Sequence, residues 1–334
     1  LMIGLAGTEL AAVERSWLTA HGVSGVILFA RNYASREQLL ALVESIREVA
    51  GENILIAVDQ EGGPVQRFRE GFTALPALAA LGAAWDRAPG EAVQLAEEHA
   101  WLMASELRAC GIDFSFAPVA DLARGNAAIG RRAFHADPEV TAELVQAYMR
   151  GLHLGGTAAV LKHFPGHGSV QADTHVAMAV DSRSLELIRR DDLRPFVEAI
   201  MMRAEAVMMA HVVYPEVDDR PAGYSRRWIG EVLRGELGFK GVVFSDDISM
   251  AAAGEAGDVA ARVGAHLDAG CDLVLACFPE VVPAAIAAVA DRVCLSAERL
   301  APLRGAVAST WAGLLDNPQR QRFIARVTAL ESLS

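Results

Sequence analysis

The sequence predicts a single-domain (β/α)8 barrel of the TIM type, not necessarily a regular one, spanning residues 1–334. Three observations carry this. Eight short apolar or β-branched runs recur along the chain, and continuous apolar runs fit strands buried on both faces of a parallel sheet. Amphipathic, helix-like stretches separate most of them. Ionisable residues gather at the C-terminal ends of several different runs, which is the catalytic face of such a barrel. An open doubly wound sheet would gather its ligand groups at one switch point instead. Neither a GxGxxG turn opening a helix after the first run nor a GxxxxGK[ST] motif occurs.

In chain order the predicted strands are MIGLAG (2–7), GVILFA (25–30), ILIAVD (54–59), IDFSFAPV (112–119), AAVLKHF (158–164), AVMMAHVVY (206–214), GVVFSD (241–246) and DLVLACF (272–278). The third ends on Asp59, the fifth on Lys162 and His163, and the seventh on Asp246, while His211 lies within the sixth. SREQLLALVESIREVA (35–50) reads as a helix with Ser35 as N-cap and Gly51 past its end. GEAVQLAEEHAWLMASELRACG (90–111) is a second helix that also stops at a glycine. Residues 280–334 read as amphipathic helices that finish the barrel, with no Pro/Ser-rich linker or internal repeat to divide the chain.

Composition narrows the function classes. Hydrophobic residues make up 52 % and charged residues 22 %, the balance of a globular protein. A net charge of −12 disfavours nucleic acid and anionic membrane as partners. No apolar run is long enough for a membrane span. LMIGLAGTEL has no basic segment ahead of its apolar residues and does not read as a secretory signal. Cys110, Cys271, Cys277 and Cys294 form no metal-hook spacing and read as buried free thiols of a reducing compartment. These features are compatible with a cytoplasmic location, and the chain is expected to act as a monomer.

The densest chemistry is KHFPGHGSVQADTH (162–175), which admits three readings. As a metal site, His163 and His167 have the spacing of two ligands on one helix face, but Pro165 and Gly166 break such a helix. A metal-dependent hydrolase would draw on His163, His167, His175 and Asp246. As plain structure, His167 alone is a satisfied polar residue, like His21, His99, His153 and His266 on predicted helices. As an acid/base loop, Asp173 orients and charges the imidazole of His175 two residues on, and Gly166 and Gly168 let the loop swing toward substrate.

Two further stretches carry chemistry. In VDQEGGPVQRF (58–68) a carboxylate, Asp59, and a guanidinium, Arg67, flank a glycine turn, a pairing suited to sugar hydroxyls. In GFKGVVFSDDISM (238–250) Asp246 ends a buried strand as a candidate nucleophile or metal ligand, with Asp247 turned elsewhere to cap the next helix.

Taken in order, VDQEGG-x-VQRF, AAIGRRAFHADP (127–138), KHFPGHG with the Asp-x-His pair after it, AHVVYPEVDDRPA (210–222), GFKGVVFSDDISM and LDAGCDLVLAC (267–277) resemble glycoside hydrolase family 3. The likeness is to its single-domain bacterial β-N-acetylglucosaminidases of cell-wall recycling. It runs from about residue 2 to about residue 280. It implies Asp246 as catalytic nucleophile, His175 as general acid/base and Asp173 as its partner. Asp59, Arg67, Arg132, Lys162 and His163 would hold the sugar hydroxyls. Arg132 is preferred to Arg131 because the family pattern reads Ile-Gly-x-Arg. The implied substrate is N-acetylglucosamine β-1,4-linked to 1,6-anhydro-N-acetylmuramic acid, with or without peptide; no metal or other cofactor is implied. Pro64 departs from the family, which usually has arginine after the two glycines.

Overall fold

A computed structural model describes residues 1–170, 179–250, 256–306 and 310–333. Asp173 and His175 lie outside the described residues. Eight strands form the barrel: β1 (Met2–Gly4), β2 (Gly25–Leu28), β3 (Leu55–Val58), β4 (Phe114–Ser115), β5 (Val160–Phe164), β6 (Ala206–Met209), β7 (Val242–Asp247) and β8 (Leu273–Ala276). Each coincides with one of the predicted runs, β7 reaching one residue past its run. Their order is β4-β3-β2-β1-β8-β7-β6-β5, and every neighbouring pair is parallel. The ring closes between β4 and β5 through a parallel bridge from Val119 to Lys162. Val160 N–H donates to Ala117 O there at 2.8 Å, and Ala120 N–H to Lys162 O at 2.7 Å.

Helices return the chain between strands: α1 (Ala12–Leu18), α2 (Arg36–Ala50), α3 (Pro89–Ala109), α4 (Pro138–Leu154), α5 (Arg194–Met201), a π-type helix (Arg227–Glu236), α6 (Val259–Ala269) and α7 (Val282–Ala288). Ser35 caps α2 by accepting from Gln38 N–H, and Gly51 takes a positive φ of 83° at its end. Beyond α7 the chain continues in short helices and the longer Pro318–Thr328. No helix among the described residues is long and apolar enough to cross a membrane.

The period-2 geometry of a strand explains why the runs are apolar throughout. Alternate residues point into the barrel and pack as one cluster: Ile27, Leu55, Ala57, Phe114, Phe116, Val160, Met208, Val242, Phe244, Leu273 and Leu275. The residues between them, including Val26, Ile56, Val58, Leu161, Val207, Val243 and Val274, join the layer under the helices. Phe114, Phe116 and Phe244 meet at ring-centroid distances of 5.2–6.0 Å and plug the barrel axis. A filled axis leaves the space above the strand ends as the place for a site.

Several local expectations change. AVMMAHVVY is not one strand: β6 stops at Met209, and Val212–Tyr214 joins a separate sheet with Ala179–Val180 and Asp218–Pro221. IDFSFAPV is strand only at Phe114–Ser115, and beyond it the pairing thins to the Val119–Lys162 bridge. His21 lies in the turn after α1 rather than on a helix. All four cysteines are free as expected, but Cys294 is exposed.

Candidate functional site

Counting two residues up each strand from the apolar plug gives the next inward layer. Ala57 leads to Asp59, Val160 to Lys162, Phe244 to Asp246, Ile27 to Phe29 and Leu275 to Cys277. All five inward residues line one cleft of about 780 Å³ at the C-terminal end of the barrel. Strand periodicity and parallel register thus bring residues from five distant segments to one floor. The described candidates Asp59, Arg67, Arg132, Lys162, His163 and Asp246 line this cleft together.

On one side sits a buried ion cluster. Lys162, 2 % exposed, donates to Asp59 Oδ1 at 2.7 Å and lies 2.5 Å from Glu61 Oε1. Arg132 grips Glu61 with two parallel bonds, Nε to Oε2 and Nη2 to Oε1, both 2.8 Å. Burial alone would raise the Glu61 carboxyl, but Arg132 and Lys162 outweigh it and hold it at about 2. Glu61 in return raises the Arg132 guanidinium against its own burial. Arg67 approaches Asp59 Oδ2 at 3.9 Å, and its Nε is buried without a hydrogen-bond partner among the described residues. Glu61 and Arg67 belong to a tight hairpin, Gln60–Gly62 against Val65–Gln66, and to the residue just past it. Gly62 makes the turn at φ 103°, where a Cβ would sit 2.5 Å from Pro76 O.

The second group is a carboxylate with two imidazoles. Asp121 is fully buried and accepts three N–H groups: His163 Nδ1 at 2.7 Å, His163 N at 3.1 Å and His167 N at 2.8 Å. Burial pushes this carboxyl up, and the two histidines with their hydrogen bonds more than reverse that. The bond to Nδ1 leaves His163 Nε2 for the cleft. The His167 ring packs against that of His163, tilted by 54° with 4.8 Å between centroids. Burial lowers its imidazole to about 4, so it is neutral at pH 7. It is almost fully buried yet lines the cleft beside His163. HFPGH does bring two imidazoles together, through a turn rather than along a helix. The glycines of this segment serve close packing: a Cβ on Gly168 would lie 1.9 Å from Leu122 O.

Asp246 faces these groups from β7. Burial works to raise its carboxyl, yet His163, His211 and the Asp247 N–H bond at 2.8 Å prevail, and it stays ionised. Asp247, one residue on, spends Oδ1 on Ser249 N–H at 3.1 Å and Cys277 N–H at 3.3 Å. It caps the turn directly after the strand. His211 lies buried beside this turn, with Nε2 donating to Asp247 O at 3.2 Å. Sequence reading missed Glu61 and Asp121. Glu61 stood in plain view between Asp59 and the glycines, and a carboxylate beside a turn that also holds Arg67 was its only signal. Asp121, in VADLARG, carried none.

The cleft can bind a polyhydroxylated ring between cations and carboxylates while presenting one ionised carboxylate, Asp246, from the facing strand. Asp121, His163 and His167 also place ligand-type atoms within 4.8 Å of one another, as a metal site would require. Both Asp121 oxygens already accept N–H bonds from the two histidine residues. A metal would displace the His163 ring bond.

Known proteins share this architecture. The model of the glycosyl hydrolase family 3 N terminal domain matches residues 2–303. A beta-hexosaminidase of Stenotrophomonas maltophilia (strain R551-3) is 59 % identical over 315 residues, 94 % of each chain. NagZ from Neisseria gonorrhoeae, solved in complex with N-trifluoroacetyl-D-glucosamine, superposes with a TM-score of 0.92 at 40 % identity, over 99 % of this chain and 97 % of that one. The same protein in complex with zinc ion gives a TM-score of 0.90 at 39 % identity and the same coverage. The chain belongs to glycoside hydrolase family 3.

Proposed function

We propose that the chain is a retaining exo-β-N-acetylglucosaminidase that removes terminal N-acetylglucosamine from peptidoglycan fragments. The observation that carries this reading is an ionised Asp246 set across one cleft from the Asp59, Glu61, Arg132 and Lys162 cluster. Asp59, Arg67, Arg132, Lys162 and His163 hold the sugar hydroxyls. Asp246 attacks the anomeric carbon as the bond to the leaving oxygen breaks, and His175, oriented by Asp173, protonates that oxygen. In the second step His175 takes a proton from water, which attacks the same carbon and releases Asp246. Two inversions give retention. Retaining glycosidases generally pair two carboxyl groups; here an imidazole takes the acid/base part.

The substrate in this reading is N-acetylglucosamine linked to 1,6-anhydro-N-acetylmuramic acid, with or without peptide, met in the cytoplasm by a monomeric enzyme. The names of the relatives, which say beta-hexosaminidase and a glucosamine derivative, support the sugar. The test is release of 4-nitrophenol from its N-acetyl-β-D-glucosaminide with and without EDTA. Wild type should cleave in both, and Asp246→Ala and His175→Ala should lose most turnover. Cleavage abolished by EDTA would instead favour a metal-dependent hydrolase built on the histidine cluster, a reading kept open by the Asp121, His163 and His167 grouping.

A further inference from the structure

The inward layer that carries Asp59, Lys162 and Asp246 is polar on only part of its circumference. On β2 and β8 the same layer holds Phe29 and Cys277, and the cleft continues over them to Arg31 and Phe278. Phe278 is 49 % exposed at the rim. The Arg31 guanidinium carbon lies 4.3 Å from the Phe29 ring centroid and 5.5 Å from that of Phe278. Arg31 is fixed there by Nε donating to Leu5 O at 2.7 Å and Nη2 to Cys277 O at 2.5 Å. Among the described residues Nη1 has no protein acceptor. A half-exposed aromatic beside a braced guanidinium forms a ledge that adjoins the polar cluster at Phe29, whose ring centroid lies 5.7 Å from the Arg67 guanidinium carbon.

Strand order says what this ledge faces. The hydroxyl-holding groups come from β3, β5 and the loop after β4, while Asp246 comes from β7, whose neighbour is β8. A ring bound between the two groups puts its reacting carbon at β7. Among the described residues the cleft continues from β7 over β8 and β2, while on the other side β6 contributes only Met208 to its lining.

We propose that this ledge is the leaving-group side of the cleft. Phe278 stacks on the carbon face of a second sugar ring, and Arg31 Nη1 takes a carboxylate carried by that ring. This deepens the glycosidase reading and rests on it. A disaccharide whose second ring is anionic then gains over a neutral one through Arg31, and both gain over a ringless leaving group through Phe278.

The experiment measures kcat/KM for three substrates: N-acetyl-β-glucosaminyl fluoride, N,N′-diacetylchitobiose, and N-acetylglucosamine linked to 1,6-anhydro-N-acetylmuramic acid. Phe278→Ala should fall about tenfold further on both disaccharides than on the fluoride, and Phe278→Tyr should restore them. Arg31→Gln, which keeps a donor for the nearby carbonyls, should fall about tenfold further on the acidic disaccharide than on the neutral one. Equal losses on all three substrates, or no loss, would overturn the ledge while leaving the glycosidase standing. Turnover that survives in Asp246→Ala would remove the glycosidase reading and the ledge with it.

Discussion

The two ends of the barrel use the same ionic chemistry to opposite ends. At the N-terminal end, Asp113 and Asp272 each sit just before a strand and accept a backbone N–H from the neighbouring strand, Ile56 and Val243, both at 2.8 Å. Each is held by two arginines, Arg47 and Arg108 in one case, Arg234 and Arg299 in the other. Those arginines also bond backbone carbonyls such as Gly111, Ile112, Phe239 and Gly241. Their donors are directed at the chain itself, so these ion pairs stitch loops to strands. At the C-terminal end, Glu61 gathers Arg132 and Lys162 with few backbone partners, and the cluster forms the wall of a cleft. A buried ion pair thus becomes binding machinery when part of its hydrogen-bonding capacity is left for a ligand, and structure when the backbone consumes it.

The strongest break of this comparison is at Asp246. Asp246→Ala should lower kcat/KM by about 10³-fold or more, with thermal unfolding little changed, since only one backbone N–H loses its acceptor. Next come paired substitutions at the two ends. Glu61→Gln should cost on the order of 10²-fold in kcat/KM by letting Arg132 and Lys162 shift. Asp113→Asn should cost about 3 kcal/mol in urea unfolding while the folded fraction keeps kcat/KM within about threefold. Equal effects on activity from the two variants would erase the distinction between the ends.

A further effect appears with pH. The His167 imidazole is lowered by burial from the ordinary 6.5 to about 4, so between these values the unfolded chain binds the proton and the folded chain does not. Stability contributed by its neutral form is present above about 6.5 and is lost as pH falls toward about 4, by on the order of 3 kcal/mol. Buried His99 and His266, lowered by burial to about 4 and about 3, add in the same direction. Urea unfolding at pH 7 and pH 5 measures this, and His167→Gln should flatten the slope. The smallest effect concerns Pro64, which lines the cleft beside the glycine turn. Since Asp59 and Arg67 are in place without arginine there, Pro64→Arg should change kcat/KM by less than about threefold.

Much of the barrel was legible because its signal is local. Each strand is buried on both faces, so its apolar run stands out without knowledge of its partners, and the polar residue at its end marks the catalytic face. The described candidates converge because strand period and parallel register carry Asp59, Lys162 and Asp246 to one level. The features that stayed hidden depend on the third dimension. Glu61 and Asp121 become central only when Arg132, 71 residues from Glu61, and His163, 42 residues from Asp121, fold onto them. The break at Ala210 was equally invisible, because Ala210 N–H bonds to Phe164 O where the barrel ends and Val212 pairs with Ala179 in a different sheet. Phe278 read as the tail of a strand, and its place beside Arg31 comes from the adjacency of β8, β1 and β2.

The most direct test of the account is covalent trapping. The protein would be incubated with 5-fluoro-N-acetylglucosaminyl fluoride, digested, and analysed by mass spectrometry. The account predicts one glycosyl adduct on Asp246, absent in Asp246→Ala and present with or without EDTA. An adduct on another residue, or full turnover of substrate by Asp246→Ala, would contradict it.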